Sequence, residues 1–97
     1  MSRLNPSLDP SPSRAVSTTS IQLIPPDPNV RYIMIQNVGA NALTIRPGTD
    51  AAVVGAAGTM TLNPLDVMEF YGEFVPQQGF TAISAAGDTV ASVWKGA

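Results

Sequence analysis

The chain has 97 residues, of which 44 % are apolar and 12 % charged, and its net charge is −2. The apolar share allows one small domain with a core, while the charged share is about half the usual one. We therefore expect a partner to cover part of the surface. Nucleic-acid binding through phosphate neutralisation needs a concentrated basic face, and it is disfavoured because the five basic residues are scattered: Arg3, Arg14, Arg31, Arg46 and Lys95.

Residues 1–20 differ in composition from the rest of the chain, with several prolines and serines and few apolar side chains. Alone, such a segment cannot bury enough apolar area to offset the entropy lost on ordering. We expect an extended N-terminal arm over 1–20 and a folded domain over 21–97. The arm is either a floppy tail or, as we favour, a docking arm that orders on a neighbour and inserts Leu4 and Leu8 into its grooves.

From residue 18 onward the pattern predicts short strands separated by Gly, Pro and Asn turns, with no helix. The alternation of apolar and polar residues predicts strands at 19–24, 30–38, 43–46, 59–62, 66–71, 80–84 and 89–95, with a possible short edge strand at 53–54. Seven or eight strands at roughly ten-residue spacing are typical of an antiparallel β-sandwich or a barrel-like jelly roll. We therefore predict an all-β domain of this kind.

Residues 30–48 read as a strand, a tight Asn/Gly turn and a second strand, which predicts a β-hairpin. Both faces of 30–38 are apolar near the middle, so we expect a central strand with one face in the core and the other against a partner or the arm. Arg31 and Arg46 would then lie on facing strands. The adjacent pair Phe70 and Tyr71 must point to opposite sides of a sheet, so one of them is expected to meet a neighbouring subunit.

The chain contains no histidine and no cysteine, which removes the commonest catalytic side chains and any disulfide or thiolate site. Most carboxylates fall in turns, and Asp66 and Glu69 point to opposite faces of one strand. The run 27–29 is too short for a calcium loop, and 55–58 lacks the Lys-Ser/Thr of a phosphate loop. We expect no enzymatic activity, no metal, no cofactor and no small-molecule substrate.

The N-terminus has no apolar stretch behind Arg3, and no apolar run approaches the ~20 residues that span a bilayer. We therefore expect no secretory signal and no membrane partner, and a soluble protein made in a cytoplasm.

An ordered set of short motifs runs through the last two thirds of the chain. The first contains Arg31, Tyr32, Ile35, Gln36, Asn37, Gly39, Asn41, Leu43 and Ile45; the later ones contain Leu62, Pro64, Val75, Pro76, Ala82, Ile83, Ser84 and Ala85. This set resembles small β-sandwich virion proteins of tailed bacteriophages, in the capsid decoration, cement and head-fibre class.

The resemblance implies a non-enzymatic virion protein on the outer face of the capsid, which stabilises the shell by binding adjacent subunits of the major capsid protein. It implies association with copies of itself, as a trimer or another homo-oligomer. The residues expected to bind the capsid are Leu4, Pro6, Leu8, Pro10, Pro12 and Arg14. Those expected to mediate self-association are Tyr71, Phe74 and Trp94. The alternative is a head-fibre or tail-tip module that binds a host receptor or glycan, and it predicts that Trp94 or Tyr71 is accessible near a loop tip.

Overall fold

The computed structural model describes residues 9–10 and 13–96. These residues form nine strands and a short 3-10 helix at Gly72–Phe74. The strands are β1 Asp9–Pro10, β2 Arg14–Val16, β3 Ile21–Ile24, β4 Tyr32–Asn37, β5 Leu43–Pro47, β6 Met60–Leu62, β7 Val67–Tyr71, β8 Phe80–Ser84 and β9 Thr89–Gly96.

The strands form two antiparallel sheets, which confirms the predicted all-β sandwich. In sheet A the order is β9-β4-β7, and both β1 and β2 pair with the outer side of β9. In sheet B the order is β3-β8-β5-β6. Within the described residues, no helix has the length and apolarity needed to cross a membrane.

The core lies between the two sheets and follows the period-two alternation of the strands. Ile33 and Ile35 of β4 face Leu43 and Ile45 of β5 across the sandwich, and all four are fully buried. Each such aliphatic side chain contributes about 1.5–3 kcal/mol through its transfer from water. The rings of Phe70 in sheet A and Phe80 in sheet B meet with centroids 5.4 Å apart. Phe70 and Tyr71 do point to opposite sides of sheet A, as predicted.

The predicted hairpin over 30–48 is wrong, because β4 and β5 belong to different sheets. β4 pairs with β7 and β9, whereas β5 pairs with β6 and β8. Residues 38–42 form an arch from one sheet to the other. Each strand has an apolar face of its own, and an arch lets the two faces pack against each other across the core. Arg31 and Arg46 are accordingly not on facing strands.

Sheet A begins earlier in the chain than the expected boundary at residue 21. Arg14–Val16 pairs with β9 in the register Val16 opposite Thr89, and Val16 is fully buried. Asp9–Pro10 also pairs with β9. This follows from the free edge of β9, which offers ladder partners to any segment that reaches it. Of the residues predicted to bind a capsid, Pro10 and Arg14 lie in these two strands, while Leu4, Pro6, Leu8 and Pro12 lie outside the described residues.

A loop from the end of β5 to β6 folds back over the outer side of sheet B. The Thr81 hydroxyl donates to the carbonyl of Asp50 at 2.8 Å, and the Ala52 N–H donates to Ser20 Oγ at 2.9 Å. Arg46 contacts Asp50 at 3.5 Å. The possible strand at 53–54 is a turn instead, because these contacts hold the loop by side chains rather than by a ladder. Sheet B thus covers part of its own outer face.

Candidate functional site

The outer face of sheet A has little charge. The register places Tyr32, Met34 and Gln36 of β4 on this face, with Trp94 of β9 beside Met34. Val67, Glu69 and Tyr71 of β7 complete it. Among the outward residues of these three strands, Glu69 alone is charged. A solvent-facing antiparallel sheet usually presents alternating polar side chains, so this face has the composition of a binding surface.

Glu69 is tied back toward its own sheet. The Tyr32 hydroxyl donates a hydrogen bond to Glu69 Oε2 at 2.8 Å. The pKa of Tyr32 is raised by partial burial first, and then by this hydrogen bond and the negative charge of Glu69. The carboxylate is therefore held over β4, and the free side of β7 is left to its apolar neighbours.

Four exposed apolar side chains follow β7 and the turns at its two ends. Their exposed fractions are 71 % for Leu65, 47 % for Val67, 64 % for Tyr71 and 83 % for Phe74. Single exposed apolar residues are normal on a protein surface, whereas four within ten residues, two in the strand and one in each flanking turn, indicate a patch. We call this set the β7 stripe. It is the strongest candidate for a partner-binding site in the described part of the chain.

The first member of the stripe sits in a strained backbone conformation. Leu65 has φ = 73°, in the left-handed region that disfavours residues with a side chain. It follows Pro64 in a turn closed by the Asp66 N–H donating to the Asn63 carbonyl at 2.9 Å, where glycine or asparagine is preferred. An exposed leucine held at a cost of about 1 kcal/mol is the kind of strain that accompanies functional surfaces.

A buried polar cluster centred on Asn37, the last residue of β4, explains the Asn-x-Gly part of the sequence that follows Gln36. The Asn37 Nδ2 donates to the carbonyls of Asn41 and Leu62, both at 2.8 Å. Its Oδ1 accepts from the Gly39 N–H at 3.1 Å and from the Thr89 hydroxyl at 2.8 Å. All four hydrogen-bonding positions of this amide are used, so its role is to fix the arch between the sheets.

The residues predicted to mediate self-association lie in two places. Tyr71 and Phe74 belong to the β7 stripe, and Trp94 is half-buried on the same outer face, one outward row from Tyr71. Leu65 and Val67 were missed by sequence reasoning. The alternation of 66–71 indicated that Val67 shares a face with Tyr71. For Leu65 the sequence offered only its position after Pro64, which does not predict an exposed side chain next to β7.

Within the described residues there is no group of three or more His, Cys, Asp or Glu side chains placed to hold a metal ion. No protein-family model matches the chain, and neither a curated protein nor a solved structure matches it. What can be said of function therefore depends on the residues and on their geometry.

Proposed function

We propose that this protein is a non-enzymatic structural subunit of a phage virion, which decorates the outer face of the capsid and stabilises it by binding adjacent capsid subunits. The observation that carries the proposal is the outer face of sheet A with its β7 stripe, an apolar surface on a small domain with few charges. The motif resemblance to capsid decoration proteins supports the same assignment.

Such a protein would act through binding energy. Complete burial of a Leu, Val or Phe side chain is worth about 1.5–3 kcal/mol, so the stripe alone offers several kcal/mol to a complementary partner. A subunit that binds the assembled shell and not its free components stabilises the shell by mass action, about 2.7 kcal/mol per site at a hundredfold excess over Kd.

The N-terminal residues are the second proposed contact with the major capsid protein. Asp9 pairs with Lys95 near the end of β9, so the chain enters sheet A at the end where Tyr32 and Gly96 lie side by side. Leu4, Pro6 and Leu8 precede that point. We propose that these three residues, together with Pro12 between β1 and β2, bind the capsid.

The test is co-sedimentation with undecorated capsids assembled from the cognate major capsid protein. A deletion of residues 2–8 is the suitable truncation, because a deletion through residue 20 would remove the buried Val16 and with it part of the core. We expect saturable binding of the full chain at a fixed ratio to the capsid protein, and much weaker binding after the deletion. Phe74→Ser should also weaken binding, with Val54→Ser in the sheet B loop as the control. Absence of binding by the full chain would refute the capsid role.

A glycan-binding module of a head fibre or tail tip is the second candidate, and one observation favours it. Tyr32, Tyr71 and Trp94 share the outer face of sheet A with the polar groups of Glu69 and Gln36. Aromatic faces beside hydrogen-bonding groups are suited to sugar rings. Trp94 is the only tryptophan, so its fluorescence during titration with a glycan library reports directly on this face. Glycan-dependent quenching without capsid binding would favour this candidate.

A further inference from the structure

Most edges of the two sheets carry a feature that discourages pairing with another chain. β3 has an irregular register between Gln22 and Ile24 and runs into Pro25. β6 has three residues and ends near Pro64, and β1 and β2 have two and three residues. Short strands, bulges and prolines are the usual ways in which proteins protect sheet edges.

The edge at β7 is different. It has five residues in uninterrupted register with β4 and no proline, and β4 is its one strand partner in the described structure. Its single charged side chain, Glu69, is held over β4 by the hydrogen bond from Tyr32. A regular, apolar and unprotected edge of this kind is a template for another strand.

The hydrogen-bond phase of the ladder shows which groups are free. The Asn37 N–H donates to the Asp66 carbonyl at 3.1 Å, which makes Gln36 and Val67 a non-hydrogen-bonded pair. Along β7 the bonds to β4 are therefore made by Met68 and Phe70. Val67, Glu69 and Tyr71 direct their N–H and C=O groups toward the free edge.

We propose that β7 pairs antiparallel with β7 of a second copy of this chain, across a two-fold axis that passes beside Glu69. In this register Val67 lies opposite Tyr71 of the second copy, a β-branched and aromatic pair that is favourable across strands. Met68 lies opposite Phe70, and both are only partly buried in the single chain. The free backbone groups of all three edge-facing residues are satisfied, and the β7 stripes of the two copies adjoin.

The edge is self-complementary, which is why a second copy is the occupant. Val67 lies two positions before Glu69 and Tyr71 two positions after it. A two-fold axis beside Glu69 therefore brings Val67 of each copy opposite Tyr71 of the other and gives a closed dimer. The N-terminal segment of the same chain is a poorer fit, because it would have to cross three strand spacings, about 14 Å, from β1 to β7. That crossing takes about four of its eight residues and leaves too few to pair along all of β7. The proposal specifies the self-association given above and is independent of capsid binding, so its test uses this protein alone.

The Glu69 pair modulates the interface. Like charges directly opposite each other on neighbouring strands are destabilising, and the two carboxylates share one face of the joined sheets although each is drawn toward its own β4. Glu69→Gln should therefore tighten the dimer by up to about fivefold, the factor that corresponds to ~1 kcal/mol.

The experiment is sedimentation velocity of the full chain over a range of concentrations, with Glu69→Gln and three further variants. Glu69→Pro should abolish dimers without removing a bond to β4, because the Glu69 N–H faces the free edge. Val67→Asp should weaken the dimer by placing a third and fourth carboxylate beside the Glu69 pair. Val54→Asp is its matched control, since Val54 in the loop over sheet B has the same exposed fraction, 47 %, and its replacement should change nothing. Circular dichroism checks that each variant is folded, and if Glu69→Pro unfolds, the two Asp variants decide.

Hydrogen exchange identifies the strand that is covered. We expect the amides of Val67, Glu69 and Tyr71 to become protected as concentration rises, and to stay so when residues 2–8 are deleted. A chain that remains monomeric at all concentrations, or a dimer insensitive to Val67→Asp, would overturn the proposal. Protection of these three amides in a monomer that disappears on deletion of 2–8 would instead assign the edge to the N-terminal segment.

Discussion

Replacement of Asn37 by leucine tests whether one buried amide holds the two sheets in register. The side chain is fully buried and makes four hydrogen bonds, to Asn41, Leu62, Gly39 and Thr89. At a net value of about 0.5–1.5 kcal/mol each, their loss amounts to about 2–6 kcal/mol. Leucine has the same branched arrangement of side-chain heavy atoms but is larger, so the cost arises from unsatisfied polar groups and tight packing and not from a cavity. That cost is a large fraction of the stability of a small domain.

The assay is urea denaturation followed by Trp94 fluorescence, with the free energy of unfolding extrapolated to water. Asn41→Ala is the control in the same arch. The Asn41 side chain makes one exposed hydrogen bond, to the Asp88 carbonyl at 2.8 Å, and its removal should cost under about 1 kcal/mol. If Asn37→Leu were no more costly than this control, the amide would not be what fixes the arch.

Asn37→Asp gives a second test of the same cluster, through pH. The aspartate oxygen that replaces Nδ2 would face the carbonyls of Asn41 and Leu62, so burial and these dipoles would raise its pKa in the folded state. A raised pKa means that the protonated form is favoured on folding. The destabilisation should therefore be largest at neutral pH and should shrink as the pH falls.

Three further predictions concern single positions. Gly39→Ala should destabilise the fold by more than about 2 kcal/mol, because a Cβ there would lie 2.5 Å from a backbone nitrogen of β9. The control is Gly55→Ala, which should cost about 1 kcal/mol because Gly55 has φ of +77° but open space around it. Equal urea midpoints of the two variants would contradict this prediction. Leu65→Asn should raise the thermal midpoint by relieving the positive φ while weakening partner binding, and a lowered midpoint would show that the turn is not strained. Glu69→Gln should lower the raised pKa of Tyr32 toward its ordinary value, because the substitution removes a negative charge and weakens a hydrogen bond. The pKa is measured from tyrosinate absorbance at alkaline pH, with Tyr32→Phe as the reference. An unchanged titration midpoint would show that Glu69 does not raise the pKa of Tyr32. Stability from that hydrogen bond is present below about pH 10 and is lost as the pH rises through the raised pKa.

The strands from β3 to β9 could be predicted because their apolar residues alternate with period two. β8 at Phe80–Ser84 has the predicted bounds, and β4 is central with one face in the core, as expected. The connection after β4 could not be predicted. An Asn-Gly turn pattern is common to a hairpin and to an arch. The difference is made by Asn37, whose side chain bonds to Leu62 and Thr89, 25 and 52 residues away in sequence. Local residue patterns contain no information on such partners.

The strands β1 and β2 were missed for a related reason. Their composition is that of a disordered segment, and they are ordered by pairing with β9 at the other end of the chain. Tertiary pairing outweighs local propensity when an edge strand offers free ladder groups. Leu65 shows the opposite case, in which the backbone adopts a conformation that its own residue type disfavours.

The two sheets provide an internal comparison for the proposed binding face. Both sheets belong to the same small domain of low charged content. The outer side of sheet B is partly covered by the loop that includes Asp50 and the buried Ala52. Sheet A has no such cover from the described residues, and its outward strand residues include one charge. If exposure of apolar side chains were only a consequence of low charged content, both outer faces would show it to a similar degree. On the sheet B side two large apolar side chains are exposed, Val53 and Val54, and both lie in the covering loop. Four are exposed along β7 and its flanking turns, beside the one regular and unprotected edge, which is the distribution expected of an interface.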